Sequence, residues 1–195
     1  SLLERSNVTE AASVMAQAFL HSPTYRYILH SNFAHDDEAG RAAVLEFLFA
    51  TNINLMLGRC KSACKCARLL DGTMVATFMW TPKEHQGIDL WTMIRYGGAL
   101  QLPFRLGFAG LKNLLQVLDD FKKATTEIME SHADSSPSWI SLERMTVLPE
   151  YQGKGSGSAA WRQGLAVTTG LVDLTTQEER NVRFYERIGF KISVE

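Results

Sequence analysis

Val147-Leu148-Pro149-Glu150-Tyr151-Gln152-Gly153-Lys154-Gly155-Ser156-Gly157-Ser158 is the stretch that decides how this chain is read. Before it, Trp139-Ile140-Ser141-Leu142-Glu143-Arg144-Met145-Thr146-Val147 has the character of a strand. After it, residues 158–169 have helical period, and Gly170 stops them. Pro149 and the glycines at 153, 155 and 157 make a turn in which backbone N–H groups converge with no Cβ in the way. The helix start adds its unpaired N–H groups and the positive end of its dipole. Such a turn suits a phosphate or pyrophosphate, and Lys154, Ser156 and Ser158 are placed to add contacts. A surface turn that needs its glycines only for geometry is the competing reading.

The spacing narrows the phosphate ligand. A Walker A loop needs Lys followed by Ser or Thr after its last glycine, and here Lys154 precedes Gly155. A dinucleotide fingerprint can be laid on Gly155, Gly157 and Ala160, with Asp173 or Glu178 as the ribose acid. That motif should follow its strand directly and open a long βαβ series, whereas Gly155 comes eight residues after Val147. A dinucleotide-binding oxidoreductase is therefore the weaker alternative.

Working outward, residues 171–176 read as a strand, 181–188 as a helix ended by Gly189, and 190–194 as a last strand. Toward the N-terminus, residues 9–20 read as a helix capped by Thr9 and ended by His21-Ser22-Pro23, with a short helical turn at 25–29. A helix is expected from Asp36 to Leu57, with Gly58 as its stop. Residues 66–70 and 74–80 read as a hairpin joined by a two-residue Asp71-Gly72 turn, closed by Pro82. Residues 90–132 are mostly helical, with breaks near Gly97-Gly98, at Pro103 and at Gly107/Gly110, and residues 135–138 form a loop. Over 111–129, Leu111, Leu114, Leu115, Leu118 and Phe121 make an apolar stripe, while Lys112, Asp119, Asp120, Lys122 and Lys123 make a solvated face. The whole, residues 1–195, reads as one mixed α/β layer domain.

Composition agrees. A chain of 195 residues that is 46% hydrophobic and 21% charged can bury a core without disulfides or metal. Its net charge of −1 gives no global field for nucleic acid or an anionic membrane. Cys60, Cys64 and Cys66 are an odd number, so reduced thiols on or beside a strand are expected. A zinc site would need a fourth ligand, for which His85 is the only neighbour, and no metal is expected. Ser1-Leu2-Leu3-Glu4-Arg5 has no signal-peptide pattern, and no apolar run reaches the ~18 residues of a membrane span, so a cytoplasmic protein is expected.

The segment Val147 to Gly157 resembles the acyl-CoA signature of the GNAT superfamily of N-acetyltransferases: a strand ending in Val, a Pro-containing turn, then [QR]-x-x-G-x-[GA], filled by Gln152, Gly155 and Gly157. Asn181-Val182-Arg183-Phe184-Tyr185-Glu186-Arg187-Ile188-Gly189-Phe190 resembles the second block, N-x3-Y-x3-G-F. Among GNAT proteins the likeness is to the puromycin N-acetyltransferase-like branch, extended by Ala18-Phe19-Leu20-His21-Ser22-Pro23 and by Trp80-Thr81-Pro82. The resemblance implies a mixed, mostly antiparallel central sheet flanked by helices, with a helical insertion at 87–138 that bears on acceptor choice. It also implies acetyl-CoA as co-substrate and an amine of a small molecule as acceptor, in a monomer or homodimer. The family's last strand is missing from this sequence or supplied otherwise, which would leave an edge for another chain to cover.

The chemistry assigns roles. An amine near pKa 10.4 must lose a proton before it attacks, and Glu143 is the candidate base. By strand parity Glu143, Met145 and Val147 share one face, and a Glu paired with a basic neighbour is the alternative. The resemblance implies that the backbone at Met145 and Val147 holds the acyl-pantetheine arm, with the N–H of Val147 or a neighbour polarising the thioester as an oxyanion hole does. The cofactor turn would be Gln152, Gly153, Lys154, Gly155, Ser156, Gly157 and Ser158. Tyr185 fills the family's acid position, and a half-buried core tyrosine is its alternative. Asn181 is read as a helix cap or a CoA contact. Trp80, Trp91, Tyr25 and Tyr27 line an acceptor pocket or belong to the core. His21, His30, His35, His85 and His132 show no metal spacing. A non-catalytic CoA-binding sensor uses the same turn and is the principal alternative.

Overall fold

The computed structural model describes the chain except residues 31–32, 34–36, 83–91, 93–94, 96–97, 132–138, 166–169, 177 and 193–195. Expectations for Asp36, Trp91, His35, His85 and His132, for the 135–138 loop, for much of the 87–138 insertion and for the end of the 158–169 helix lie outside the described residues.

In order, the elements are α1 (Val8–Phe19), α2 (Pro23–Leu29), α3 (Glu38–Arg59), β1 (Cys64–Arg68), β2 (Met74–Pro82), α4 (Leu102–Ser131), β3 (Trp139–Val147), α5 (Ser156–Leu165), β4 (Leu171–Asp173) and α6 (Glu179–Arg187). Strand order is β1-β2-β3-β4. The first two pairings are antiparallel and the last is parallel. The mixed, mostly antiparallel sheet with helical layers is therefore as the sequence implied.

β2 is the central strand, buried along all but its last residue, which is why it is apolar without alternation. Its two sets of side chains seed two cores. One face carries Thr77, Met79 and Thr81 and meets α1 and α3, where Met15, Leu45, Phe49 and Ile53 are packed. Alanines 11, 12 and 16 let α1 approach closely. The opposite face carries Phe78 and Trp80, covered by Trp161 of α5, by Tyr185 of α6 and by Ile188 and Phe190 beyond it. Trp80 and Trp161 stack at 5.4 Å between ring centroids. Cys64 and Cys66 are buried on the α1/α3 face, and burial pushes the Cys64 thiol up to about 12.

Local departures have local causes. Asn7, not Thr9, precedes α1 and makes no side-chain cap bond. Asp37 caps α3 by accepting the Gly40 N–H at 2.8 Å, and α3 runs through Gly58 to Arg59. The hairpin connection spans residues 69–73 rather than two, tied by the Thr73 N–H to the Asp71 carboxylate at 2.9 Å, with Gly72 at φ +91°. In α4, Pro103 sits in the first turn and Gly110 continues the helix; only Gly107 breaks it, at φ 62° and ψ 173°. The charged face of α4 is exposed as expected, but Leu115 and Leu118 are exposed too, so the apolar stripe is only partly covered. β4 is three residues long rather than six. Residues 190–192 are not a strand, and residues 193–195 lie outside the description.

One contact explains a glycine. A Cβ on Gly164 of α5 would lie 2.4 Å from Trp80 Cζ2 and 2.9 Å from Cε2, inside a stacked pair with little freedom to move. Gly164→Ala is expected to destabilise the fold by about 2 kcal/mol. Urea unfolding followed by tryptophan fluorescence measures it, and an unchanged midpoint would contradict the packing described.

Candidate active site

β3 pairs with β2 from Ile140 to Val147 but with β4 only over Trp139, Ile140 and Ser141. Beyond Ser141 the β4-facing edge of β3 has no strand partner among the described residues. The Leu148 N–H donates to Val75 on the β2 side at 2.9 Å. Because successive N–H groups alternate, those of Val147 and Met145 point to the open edge. The Val147 carbonyl points there as well and accepts the Gln152 side-chain amide at 2.9 Å, so Gln152 clips the turn back onto the strand end. The result is a slot with backbone donors on one wall.

A bulge sits in that wall. Thr77 pairs with Thr146 and Met79 with Glu143, so two steps along β2 match three along β3. Arg144 takes up the extra residue at φ +50°, a conformation L side chains rarely adopt. This corrects the parity expected from sequence. Met145 and Val147 face α5, where their side chains lie 3.5 Å from a Cβ built on Gly157. Glu143 instead shares the α1/α3 face with Met79 and Ser141. Alternation holds up to Glu143 and restarts after the bulge on the other side.

Arg144 binds Glu143, its Nη1 donating to Oε2 at 2.6 Å. The paired-Glu alternative is thus realised, and Glu143 keeps Oε1 for another partner. Tyr25, packed on Phe19 and Phe49, lies against the same guanidinium; burial raises its hydroxyl pKa, and Arg144 opposes the rise. Tyr25 and Trp80 are core residues, while Tyr27 is exposed.

At the far end of the slot, Pro149–Tyr151 form one 3-10 turn, and Gly153 and Gly155 follow with φ of +73° and +83°. Helix α5 begins at Ser156, two residues earlier than expected, and its first internal bond runs from the Ala159 N–H to the Gly155 carbonyl. The N–H groups of Ser156, Gly157 and Ser158 therefore project from the helix end. A Cβ at Gly153 or Gly155 would meet nothing within 4 Å. Those glycines answer to backbone conformation and to the open space before the helix, not to packing. Lys154 is exposed, its ammonium 5.5 Å from the Tyr151 ring.

Tyr185 packs between Phe184 and Phe190 on the α5/α6 side of the sheet. Burial pushes its hydroxyl up to about 12, so it holds its proton at neutral pH. Asn181 is not the cap; Glu178 precedes α6, and the Asn181 N–H donates to the Glu178 carbonyl at 2.8 Å from the first turn. Sequence reading missed Asp173 as a site residue and weighed it only as a ribose acid. A carboxylate between Val172 and Leu174, at the one inward polar position of an apolar strand, was the available signal.

Comparison with known proteins bears on the fold. Residues 117–192 match the sequence model of the acetyltransferase (GNAT) domain. The crystal structure of "histone acetyltransferase HPA2 and related acetyltransferase" from Corynebacterium glutamicum superposes with a TM-score of 0.54 at 17% identity, over 97% of this chain and 82% of that one. The apo form of a point mutant of agmatine N-acetyltransferase superposes with a TM-score of 0.55 at 16% identity, over 96% and 80%. The chain has the fold of the GNAT acetyltransferases, and its C-terminal part, residues 117–192, matches the sequence model of their domain.

Proposed function

We propose that this chain moves an acetyl group from acetyl-CoA to an amine of a small molecule, by direct attack on the thioester. The observation that carries this is the early parting of β3 from β4, with the Met145 and Val147 N–H groups on the open edge and a glycine turn at the head of α5. Acetyl-CoA supplies an activated acyl group on a thiol that leaves readily. Gly153 to Ser158 cradle its diphosphate with backbone N–H groups, and Lys154 adds charge from the rim. Met145 and Val147 hold the pantetheine arm as an added strand would be held. The Val147 N–H polarises the thioester oxygen.

A C–N bond forms as the C–S bond breaks. Glu143 receives the amine proton, directly or through one water, on its free Oε1, and Arg144 fixes the carboxylate. Tyr185 gives its proton to the departing thiolate and regains one from solvent. The likeness to puromycin N-acetyltransferase-like sequences supports a small-molecule acceptor. No described helix is long and apolar enough to cross a membrane, and a cytoplasmic setting, where acetyl-CoA is made, fits the reading.

Two results test it. Tyr185→Phe is expected to lower kcat about a hundredfold and Glu143→Gln about tenfold, with acetyl-CoA affinity kept, in a thiol-release assay over an amine panel. A parent that binds acetyl-CoA by calorimetry yet acetylates no amine would favour the sensor alternative instead. At the turn, Gly155→Ala is expected to weaken acetyl-CoA binding about tenfold because φ +83° strains any side chain. Gly157→Ala, whose Cβ would make only ordinary contacts at 3.5 Å or more, is expected to change it little.

A further inference from the structure

The sheet face that carries Glu143 holds a second polar set that the proposed chemistry does not use. Thr81 stands directly opposite Ser141, and Ser141 directly opposite Asp173, so the three form one row across β2, β3 and β4. Glu143 lies two residues beyond Ser141 and before the bulge, so it shares their face. Asp173 is 9% exposed. Its Oδ1 accepts the Trp139 indole N–H and the Ser141 hydroxyl, each at 2.6 Å. Both donors are neutral, and among the described residues no cation is paired with Asp173. Burial raises the Asp173 pKa, the two donors oppose the rise, and the charge of Glu143 adds to it.

Thr81 supplies the independent sign. Its hydroxyl is buried at 2% exposure and has no hydrogen-bond partner. Folded proteins rarely leave such a group unpaired. The row also sits where β3 and β4 part, since their ladder ends at Ser141 and Asp173. Glu143, two residues along the same face, has a side chain that is 36% exposed. Glu143 is paired with Arg144, whereas Asp173 has no ion-pair partner among the described residues.

We propose that Asp173 Oδ2 and Thr81 Oγ1, with Glu143 at the rim, form a subsite for the ammonium group of a cationic small amine. An ammonium carries three donors and no acceptor, which matches a carboxylate held by neutral donors beside an unpartnered hydroxyl oxygen. Neighbouring strands are about 4.8 Å apart, so Thr81 and Asp173 flank Ser141 at one strand spacing each, and the ammonium would lie over Ser141. The assignment rests on the acetyl-transfer reading of the adjoining slot only for its role as an acceptor site; binding itself is independent.

The test is calorimetric titration of 1,4-diaminobutane, with 1,4-butanediol as the uncharged counterpart, into the full chain without acetyl-CoA. The diamine is expected to bind and the diol not. Asp173→Asn, whose amide oxygen still serves Trp139 and Ser141, should weaken the diamine about tenfold or more. Thr81→Val keeps the shape and removes the orphan hydroxyl. It should weaken the diamine severalfold yet melt no lower than the parent, a combination that a merely structural row would not give. Thr81→Val decides the matter if Asp173→Asn fails to fold. Equal diamine affinity in the parent and Thr81→Val, or equal binding of diamine and diol, overturns the proposal. Titrating acetyl-CoA into the same samples separates the two readings. A parent that takes the diamine but not acetyl-CoA keeps the subsite and loses the transferase, and the reverse result does the opposite.

Discussion

β3 is held along its length on one side and along three residues on the other. A sheet edge with unpaired N–H and C=O groups needs a partner or solvent, and between β3 and β4 the ladder ends at Ser141 and Asp173. The divergence separates the glycine turn at the end of β3 from the polar row at its start. It also leaves backbone donors between them, in line with Met145 and Val147. On the α5/α6 side of the sheet, Trp161, Tyr185 and Phe190 pack against Phe78 and Trp80 of β2.

The bulge at Arg144 divides labour between the faces of the sheet. Without it, Glu143 would point with Met145 toward α5 and its aromatic cluster. With it, Glu143 is turned to the α1/α3 face beside Ser141, Thr81 and Asp173. Arg144 sits in a strained backbone conformation, and its guanidinium is tied to Glu143 and to Tyr25 of α2. Tyr25 is in turn gripped by Phe19 and Phe49. The helical layer therefore sets the position of the strand's charged residues, a link between core packing and site geometry that runs through one arginine.

Much of this was legible in the residues. The glycine turn, the strand before it and the helix after it follow from local rules, because glycine spacing and helical period leave their marks within a dozen residues, while the acid role of Tyr185 is what the family resemblance implies. Cys64 and Cys66 were read correctly as thiols beside a strand. What escaped the sequence was non-local. The bulge depends on how β3 registers against β2, some 70 positions away in the chain, and nothing in Leu142-Glu143-Arg144-Met145 announces a break in alternation. Asp173 was visible as a carboxylate in an apolar strand, but its meaning needed Trp139, Ser141 and Thr81 to come together. Asn181 read as a cap because its residue type favours caps, while the helix in fact starts two residues earlier.

The account stands on the open edge of β3 as the seat of the acyl donor. Amide hydrogen exchange, read residue by residue with and without acetyl-CoA, addresses it most directly. The N–H groups of Met145 and Val147 should exchange readily in the free protein and become protected on binding, together with those of Ser156, Gly157 and Ser158. Protection confined to other elements, with Met145 and Val147 unchanged in the presence of bound acetyl-CoA, would contradict it.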